Sequence, residues 1–343
     1  MIIIHLFPSN ILNFNKYLIL RVFYGIAILF AISFIVFLIV QIPQGDAVDK
    51  IVAAREAEGD IIDENEQLAL RKLYGLDRPF IIQYADWLVN FIGGEMGRSM
   101  LGVPVNELVK ERIGETLLLA FLSLFITYIV AIPIAIYSAT HQYSIGDYLL
   151  TFLGFIGLAT PNFLLALILL FLFNKYFGLS IGGLFSPEYE ESDWSLLKLW
   201  DLIKHLWIPI IVIATANTAG TIRTMRATLL DELGKQYVIT AKAKGLTFNK
   251  LLYKYPVRLA LNPIINSLGH ILPVQISGQT ITAIVLNLPT LGPLLFNSLL
   301  AEDVQTATSV LMILSIISVA GVILADIALT IYDPRIRMDK EII

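Results

Sequence analysis

The sequence predicts an all-α integral membrane protein with six transmembrane helices, and three observations lead to that prediction. Of the 343 residues, 57% are hydrophobic and only 15% are charged, a balance far from that of soluble proteins. Several apolar runs reach about 20 residues, the length that crosses a bilayer as a helix. The Lys and Arg residues concentrate in one loop between two such runs, which predicts that this loop is cytoplasmic.

The apolar runs divide the chain into four parts. Residues 1–42 are a cytoplasmic N-terminus and the first span, and 43–114 are an extracytoplasmic segment. Residues 115–332 hold the other five spans with a cytoplasmic loop at 223–262, and 333–343 are a cytoplasmic tail. The six predicted spans are Val22–Val40, Thr116–Tyr137, Tyr148–Phe173, Leu206–Ile222, Ile271–Leu288 and about Val304–Tyr332.

The extracytoplasmic parts are predicted to contain amphipathic helices. Asp63 and Glu66 have the spacing of an N-cap residue and its partner, and the aromatic residues of 80–91 recur at helical spacing, as in a helix lying in the outer interface. A second interfacial helix is predicted from Leu196 into the fourth span. The acidic stretch 48–66 is interpreted as a solvated loop.

The cytoplasmic loop has a local order that its charge alone does not explain. Between Arg223 and Asn262 it carries eight Lys or Arg against two acidic residues. The segment 236–244 contains neither Gly nor Pro, and Gly245 stands where a helix ends with a positive φ. Any basic loop between two spans has such a charge, but not the succession of helix, glycine, basic helix and proline. We therefore predict a short helix at the cytoplasmic face of the membrane.

Particular residues of this loop resemble a known family. The run from Tyr237 to Leu246 (YVITAKAKGL), followed by Arg258 and Asn262-Pro263, resembles the EAA loop of ABC importer permeases, in particular the dipeptide/oligopeptide/nickel branch. The same branch is similar at GLDRP (75–79), MGRS (96–99) and DPR (333–335). Two departures occur. Ile239 occupies the position of the glutamate that names the loop, and the stretch 43–46 carries one residue more than the usual PGD.

The resemblance implies the type I ABC importer permease fold, in which the short helix is a coupling helix that docks into a groove on an ATPase subunit. The residues it assigns to that contact are Gln236, Tyr237, Thr240, Ala241, Ala243, Gly245 and Leu246. It further implies a heterodimer with a second homologous permease subunit, two ABC ATPase subunits and an extracytoplasmic solute-binding protein. The location would be a bacterial or archaeal cytoplasmic (inner) membrane, with both termini inside and transport by alternating access.

The chain is not expected to be an enzyme. It contains no GxxxxGK[ST] sequence to cradle a phosphate, so ATP and Mg²⁺ would bind to partner subunits. It has no cysteine, and its four histidines are scattered without ligand spacing, so no metal site or other cofactor is expected in this chain. No nucleic-acid partner is expected either.

Polar residues of the fifth span are candidates for the translocation path. Gln275 and Gln279 stand four residues apart and Thr282 follows three residues later, so in a continuous helix they share a face. The alternative is hydrogen bonding between helices, which polar residues often supply in membranes. Asp326, in the sixth span, is interpreted as the structural partner of a loop cation near the inner interface.

The substrate is left open among the solutes of the family. Short peptides are the default by family frequency, and nickel and oligosaccharides are the alternatives. A secondary carrier is a weaker alternative, because the sequence shows neither a clear internal repeat nor acidic residues at the predicted midplane.

Overall fold

The structure is a computed structural model that describes residues 8–40, 47–57, 59, 62–73, 77–178, 182–190, 192–277 and 279–332. Within these ranges the regular structure is helical, which confirms the all-α prediction for this part of the chain. The helices are α1 (Pro8–Val40), α2 (Ala47–Ala57), α3 (Glu64–Leu73), α4 (Phe80–Ile92), α5 (Val105–Thr140), α6 (Ile145–Ala159), α7 (Asn162–Phe177), α8 (Leu196–Leu233), α9 (Gln236–Ala243), α10 (Phe248–Lys254), α11 (Pro256–Ser277), α12 (Thr280–Val285), α13 (Leu291–Leu300) and α14 (Val304–Tyr332).

The helices form two compact units. The first contains Leu117–Pro289 with the chain up to Val22 and from Ala320 onward. One of its cores joins α5, α7, α8 and α12, and another joins α5, α8, α10 and α11. The second core includes three fully buried or nearly buried alanines of α5, Ala131, Ala135 and Ala139. Small residues at this spacing let helices approach closely where lipid removes the hydrophobic driving force.

The second unit, Phe23–Thr116 with Thr290–Val319, is centred on aromatic residues. Tyr84, Trp87 and Phe91 of α4 pack against Phe37 of α1 and Met312 of α14. The Tyr84 hydroxyl also lies 2.8 Å from the Ser33 hydroxyl. The helix predicted over 80–91 is therefore present, but its aromatic face is buried in the protein, and its place at the outer interface stays a prediction.

The interpretation of residues 48–66 as a solvated loop is wrong for the part that the structure describes. This stretch contributes α2 and the start of α3, which pack through Val48, Val52, Ile62 and Leu70. Two ion pairs between side chains of α2 and α3, Arg55–Glu66 and Arg71–Asp49, add to the contact. The predicted cap of α3 is confirmed, since Asp63 Oδ1 accepts a hydrogen bond from the Glu66 backbone N–H at 2.7 Å.

Two of the predicted spans differ from single helices. The third is broken at Thr160–Pro161, where α6 and α7 meet at an angle of 100°. The fifth ends at Ser277, and a separate short helix, α12, begins at Thr280. The helix predicted from Leu196 leads into the fourth span as expected, and the two form one continuous helix, α8, of 38 residues.

Length and composition qualify three helices in the described part of the chain as membrane spans, namely residues 18–40 of α1, α5 and α14. The bent pair α6–α7 makes a fourth if it counts as one span. The count of six spans therefore stays a prediction.

Asp326 of α14 has a partner on another helix. Its Oδ2 lies 2.8 Å from Arg21 Nη1, and Arg21 belongs to α1. The structural pairing predicted for Asp326 is thus present, but the cation comes from the first helix and not from a loop.

Candidate functional site

One side of α9 is exposed. Gln236, Ile239, Thr240 and Ala243, three or four residues apart, are all exposed, and residues at this spacing share one side of a helix. We call these four residues the outer face of α9. Ile239 is 55% exposed despite its large apolar side chain.

The residues assigned to the coupling contact divide between the two sides of the helix. Gln236, Thr240, Ala243 and Gly245 are exposed, whereas Tyr237, Ala241 and Leu246 are half-buried. Val238, on the inner side, is buried. Ile239 was not among the assigned residues, although its spacing of four from Ala243 is a signal that could have placed it on the same face.

A carboxylate at the end of α8 holds α9 in place. Glu232 accepts hydrogen bonds from Lys235 Nζ at 2.5 Å and from the Tyr237 hydroxyl at 2.7 Å. Burial opposes ionisation of Glu232, but these two hydrogen bonds outweigh burial and lower its pKa below the usual value. Burial and the hydrogen bond to Glu232 raise the pKa of Tyr237. At neutral pH the carboxylate is therefore charged and the phenol protonated, the forms in which one accepts and the other donates.

Gly245 ends α9 with the positive φ that the sequence predicts, +83°. The Gly245 N–H donates to the Lys242 carbonyl at 3.0 Å and the Leu246 N–H to the Ala241 carbonyl at 3.4 Å. This pair of bonds is the Schellman motif, which satisfies the last carbonyls of a helix. Apart from its two neighbours in the chain, no described residue has an atom within 4 Å of the place where a Cβ of residue 245 would stand. The requirement for glycine here is therefore conformational, because space for a side chain is available.

We call α9 with its cap at Gly245 and Leu246 the α9 corner. The helix after this glycine anchors the α9 corner in the protein interior. Leu251 and Leu252 of α10 are buried. Leu252 shares a core with Met225 and Leu229 of α8 and with Val257 of α11. The α9 corner thus rests on a packed base while its outer face is exposed.

The three polar residues of the predicted fifth span do not share a helix face. Gln275, near the end of α11, is 3% exposed and donates to the Ser123 hydroxyl of α5. Gln279 lies outside both helices, at the N-cap of α12. Thr282, within α12, is buried. The prediction of a common face is wrong, because it assumed a continuous helix between 275 and 282.

Gln279 instead connects two helix breaks. Its Oε1 accepts a hydrogen bond from Asn162 Nδ2 at 3.0 Å, and Asn162 is the first residue of α7, just after the 100° bend. Asn162 was missed by the sequence analysis, and the polar residue directly after Pro161 was the available signal. Broken helices with polar residues at their ends are where many transporters place their substrate.

No group of three or more His, Asp or Glu side chains in the described part of the chain is arranged to hold a metal ion.

Comparison with known proteins identifies the family. The model of the binding-protein-dependent transport system inner membrane component matches residues 131–338, and the model of the N-terminal part of that membrane component matches 14–106. The first match includes α9, its glycine and both helix breaks.

Individual relatives agree with the family models over nearly the whole chain. The oligopeptide transport system permease protein AppB of Bacillus subtilis is 35% identical over 94% of this chain and 99% of its own length. A putative peptide permease protein of Brucella ovis is 30% identical over the same shares. The oligopeptide transport system permease protein OppB of Mycobacterium bovis is 27% identical over 77% of this chain and 82% of its own. This chain therefore belongs to the binding-protein-dependent transport system inner membrane components and is a permease subunit of an ABC importer.

Proposed function

We propose that this permease subunit forms half of a pathway for short peptides, and that α9 is its coupling helix. The observation that carries the second part is the outer face of α9, an exposed surface on a helix capped at Gly245 and held by Glu232. It coincides with the motif that resembles the EAA loop. Support for peptides comes from the relatives, three of which are named as peptide or oligopeptide permeases.

The proposed assembly contains this chain, a second homologous permease subunit, two ABC ATPase subunits and an extracytoplasmic solute-binding protein in the cytoplasmic membrane. ATP binds and is hydrolysed in the ATPase subunits. Their closure moves α9, and α8 transmits this movement to the helices around the pathway. The pathway then alternates between inward-facing and outward-facing states.

The proposed pathway includes Gln279 but not Gln275 and Thr282, the two other residues that the sequence predicts to line it. Gln279 is supported by its half-buried position at the two helix breaks. In a single subunit, a residue that lines a path between two subunits should retain access to that path. The burial of Gln275 and Thr282 in this chain favours a structural part for them.

We further propose six spans with both termini in the cytoplasm. Because the chain has no cysteine, single Cys probes report without background. Cys at the exposed positions Glu64 and Glu190 should react with an impermeant maleimide from outside, and Cys at exposed Lys250 only after the inner side is opened. Labelling of position 250 from outside would overturn this topology.

The main experiment reconstitutes the complete complex in proteoliposomes and measures uptake of a labelled peptide mixture with ATP or a non-hydrolysable analogue. We expect uptake with ATP but not with the analogue. Ala243→Trp places a large side chain on the outer face of α9 and should abolish uptake. Ala53→Trp, at an exposed alanine of α2, is the matched control and should transport normally.

Uptake of nickel or oligosaccharide but not peptide would contradict the substrate and leave the importer intact. Normal uptake by Ala243→Trp would contradict the docking of α9.

A further inference from the structure

An ion pair between a buried carboxylate and a half-buried arginine joins three helices close to the α9 corner. Arg226 of α8 contacts Asp147 of α6 through two nitrogens, Nη2 to Oδ2 at 2.8 Å and Nε to Oδ1 at 3.1 Å. The hydroxyl of Ser138, on α5, donates to Asp147 Oδ1 and accepts from Arg226 Nε. The Tyr143 backbone N–H donates to Oδ2 at 3.0 Å. Asp147 is 3% exposed, so this carboxylate is buried with all its hydrogen-bond partners in place.

The geometry of this pair fixes orientation as well as distance. A guanidinium that meets a carboxylate through two parallel bonds resists rotation of one helix against the other, which a single contact would allow. Burying such a pair adds little stability compared with apolar residues of the same volume. Its presence is better explained by the fixed arrangement of α5, α6 and α8 than by a gain in stability.

The same end of α8 also holds α9. Glu232, the anchor of Tyr237, follows Arg226 by six residues, about 9 Å along a helix. Met225, directly before Arg226, and Leu229, between Arg226 and Glu232, are completely buried in the core shared with α5. The polar contacts and this core therefore connect α9, through the last turns of α8, to the first turn of α6.

From that turn, a displacement can reach the helix break. Asp147 lies in the first turn of α6, and α6 continues to Ala159, directly before the 100° bend. Asn162, which is bonded to Gln279, follows the bend. The Asp147–Arg226 pair is thus a polar contact that joins α8 to the first half of the broken helix.

We propose that Asp147 and Arg226, with Ser138, are positioning residues that make α9, the end of α8 and α6 move together during transport. They contact neither peptide nor ATP. This inference rests on the proposed coupling function of α9, and it assigns the route by which that coupling reaches the pathway. It requires the pair to stay closed throughout the transport cycle.

The test replaces the ion pair with a removable tether. In the complete reconstituted complex, Asp147→Cys combined with Arg226→Cys removes the pair from a chain that has no other cysteine. We expect assembly and ATP hydrolysis to persist, while peptide uptake per ATP hydrolysed falls about tenfold. Bis-methanethiosulfonate spacers of graded length then bridge the two thiols, and a spacer of fitting length should restore uptake per ATP. Reduction of the tether should abolish it again in the same sample.

Two controls separate this inference from the proposed function. The complex without these substitutions is measured both untreated and after the same reagents, because partner subunits can contain cysteine. If the untreated complex does not transport peptide, the proposed function fails, and not the role of the Asp147–Arg226 pair. Arg223→Gln alters an exposed arginine one turn before Arg226 and should couple normally.

Three results would overturn the inference. They are full coupling in the untethered double variant, a tether that leaves coupling low at every spacer length, and failure of the double variant to assemble, which would make the pair a folding element only.

Discussion

The α9 corner and the region of the two helix breaks use polar residues in opposite ways. At the corner, Gln236 and Thr240 are exposed on a helix whose shape is set by a glycine cap. At the breaks, the amide of Gln275 is buried against Ser123 and that of Gln279 is bonded to Asn162. The first region exposes its polar groups, whereas the second uses them in hydrogen bonds within the chain. Polarity inside a membrane segment is therefore not enough to identify a residue that lines a pathway.

The largest effect on transport is expected from a substitution of Gly245. Gly245→Val places a β-branched residue at a φ of +83°, a backbone conformation that is unfavourable for valine. We therefore expect the cap of α9 to be lost and uptake to be abolished. Gly245→Asn is the matched control, because asparagine adopts positive φ more readily and space for a side chain is available. Uptake and ATP hydrolysis of the reconstituted complex measure both. Equal activity of the two variants would show that the cap is not required.

The breaks should respond to a smaller change. Gln279→Leu removes the bond to Asn162 and should lower peptide uptake about fivefold, the scale of about 1 kcal/mol in coupling between sites, with the complex still assembled. Uptake kinetics and gel filtration of the purified complex provide the measurement. Dissociation of the complex would instead show that Gln279 holds helices together.

Gln275→Leu sharpens the comparison between the two amides. This change removes the hydrogen bond to Ser123. It also removes Gln275 Oε1, a buried oxygen with no hydrogen-bond partner among the described residues, and this offsets part of the lost stability. We expect a change of about 1 kcal/mol or less in stability and nearly normal uptake. Thermal denaturation of the complex measures the change in stability, and uptake per complex measures transport. A strong uptake defect in a stable complex would show that Gln275 is needed for transport, as a residue that lines the pathway would be.

Tyr237→Phe should have only a small effect on uptake. It removes one hydrogen bond to Glu232, which keeps its bond from Lys235, so uptake should fall about twofold for a loss of roughly 0.5 kcal/mol. The exposed Lys242→Gln, on the same helix, is the control and should not change uptake. If Tyr237→Phe abolishes uptake, the hydroxyl has a role beyond holding α9.

Local signals allowed the corner to be predicted, and their absence explains what was missed. Helix α9 and the positive φ of Gly245 depend on neighbouring residues, so they could be predicted from the sequence. The bend between α6 and α7 could not, because the residues around a proline do not determine its effect on a membrane helix. Pro133 and Pro209 lie inside the continuous helices α5 and α8, whereas Pro161 stands at a bend of 100°. Whether a proline breaks a helix depends on how neighbouring helices satisfy the freed carbonyl.

The Asp147–Arg226 pair was missed for a related reason. Its partners lie 79 residues apart in the chain. Each alone resembles an ordinary charge beside a predicted span, and only the packing of α6 on α8 brings them together. The helical form of 47–57 was also missed, since its acidic composition suggested solvation while its contacts with α3 decide its structure.

The ion pair between Arg21 and Asp326 has a consequence for biosynthesis. A ribosome releases Arg21 near the start of the chain and Asp326 about 300 residues later, an interval of roughly 15 to 60 s at ordinary translation rates. During that interval α1 is made but α14 is not, so Arg21 lacks its ion pair with Asp326. Closure of this pair is thus a late event of membrane insertion. In a nascent chain halted before residue 326, α1 would lack its ion pair with α14.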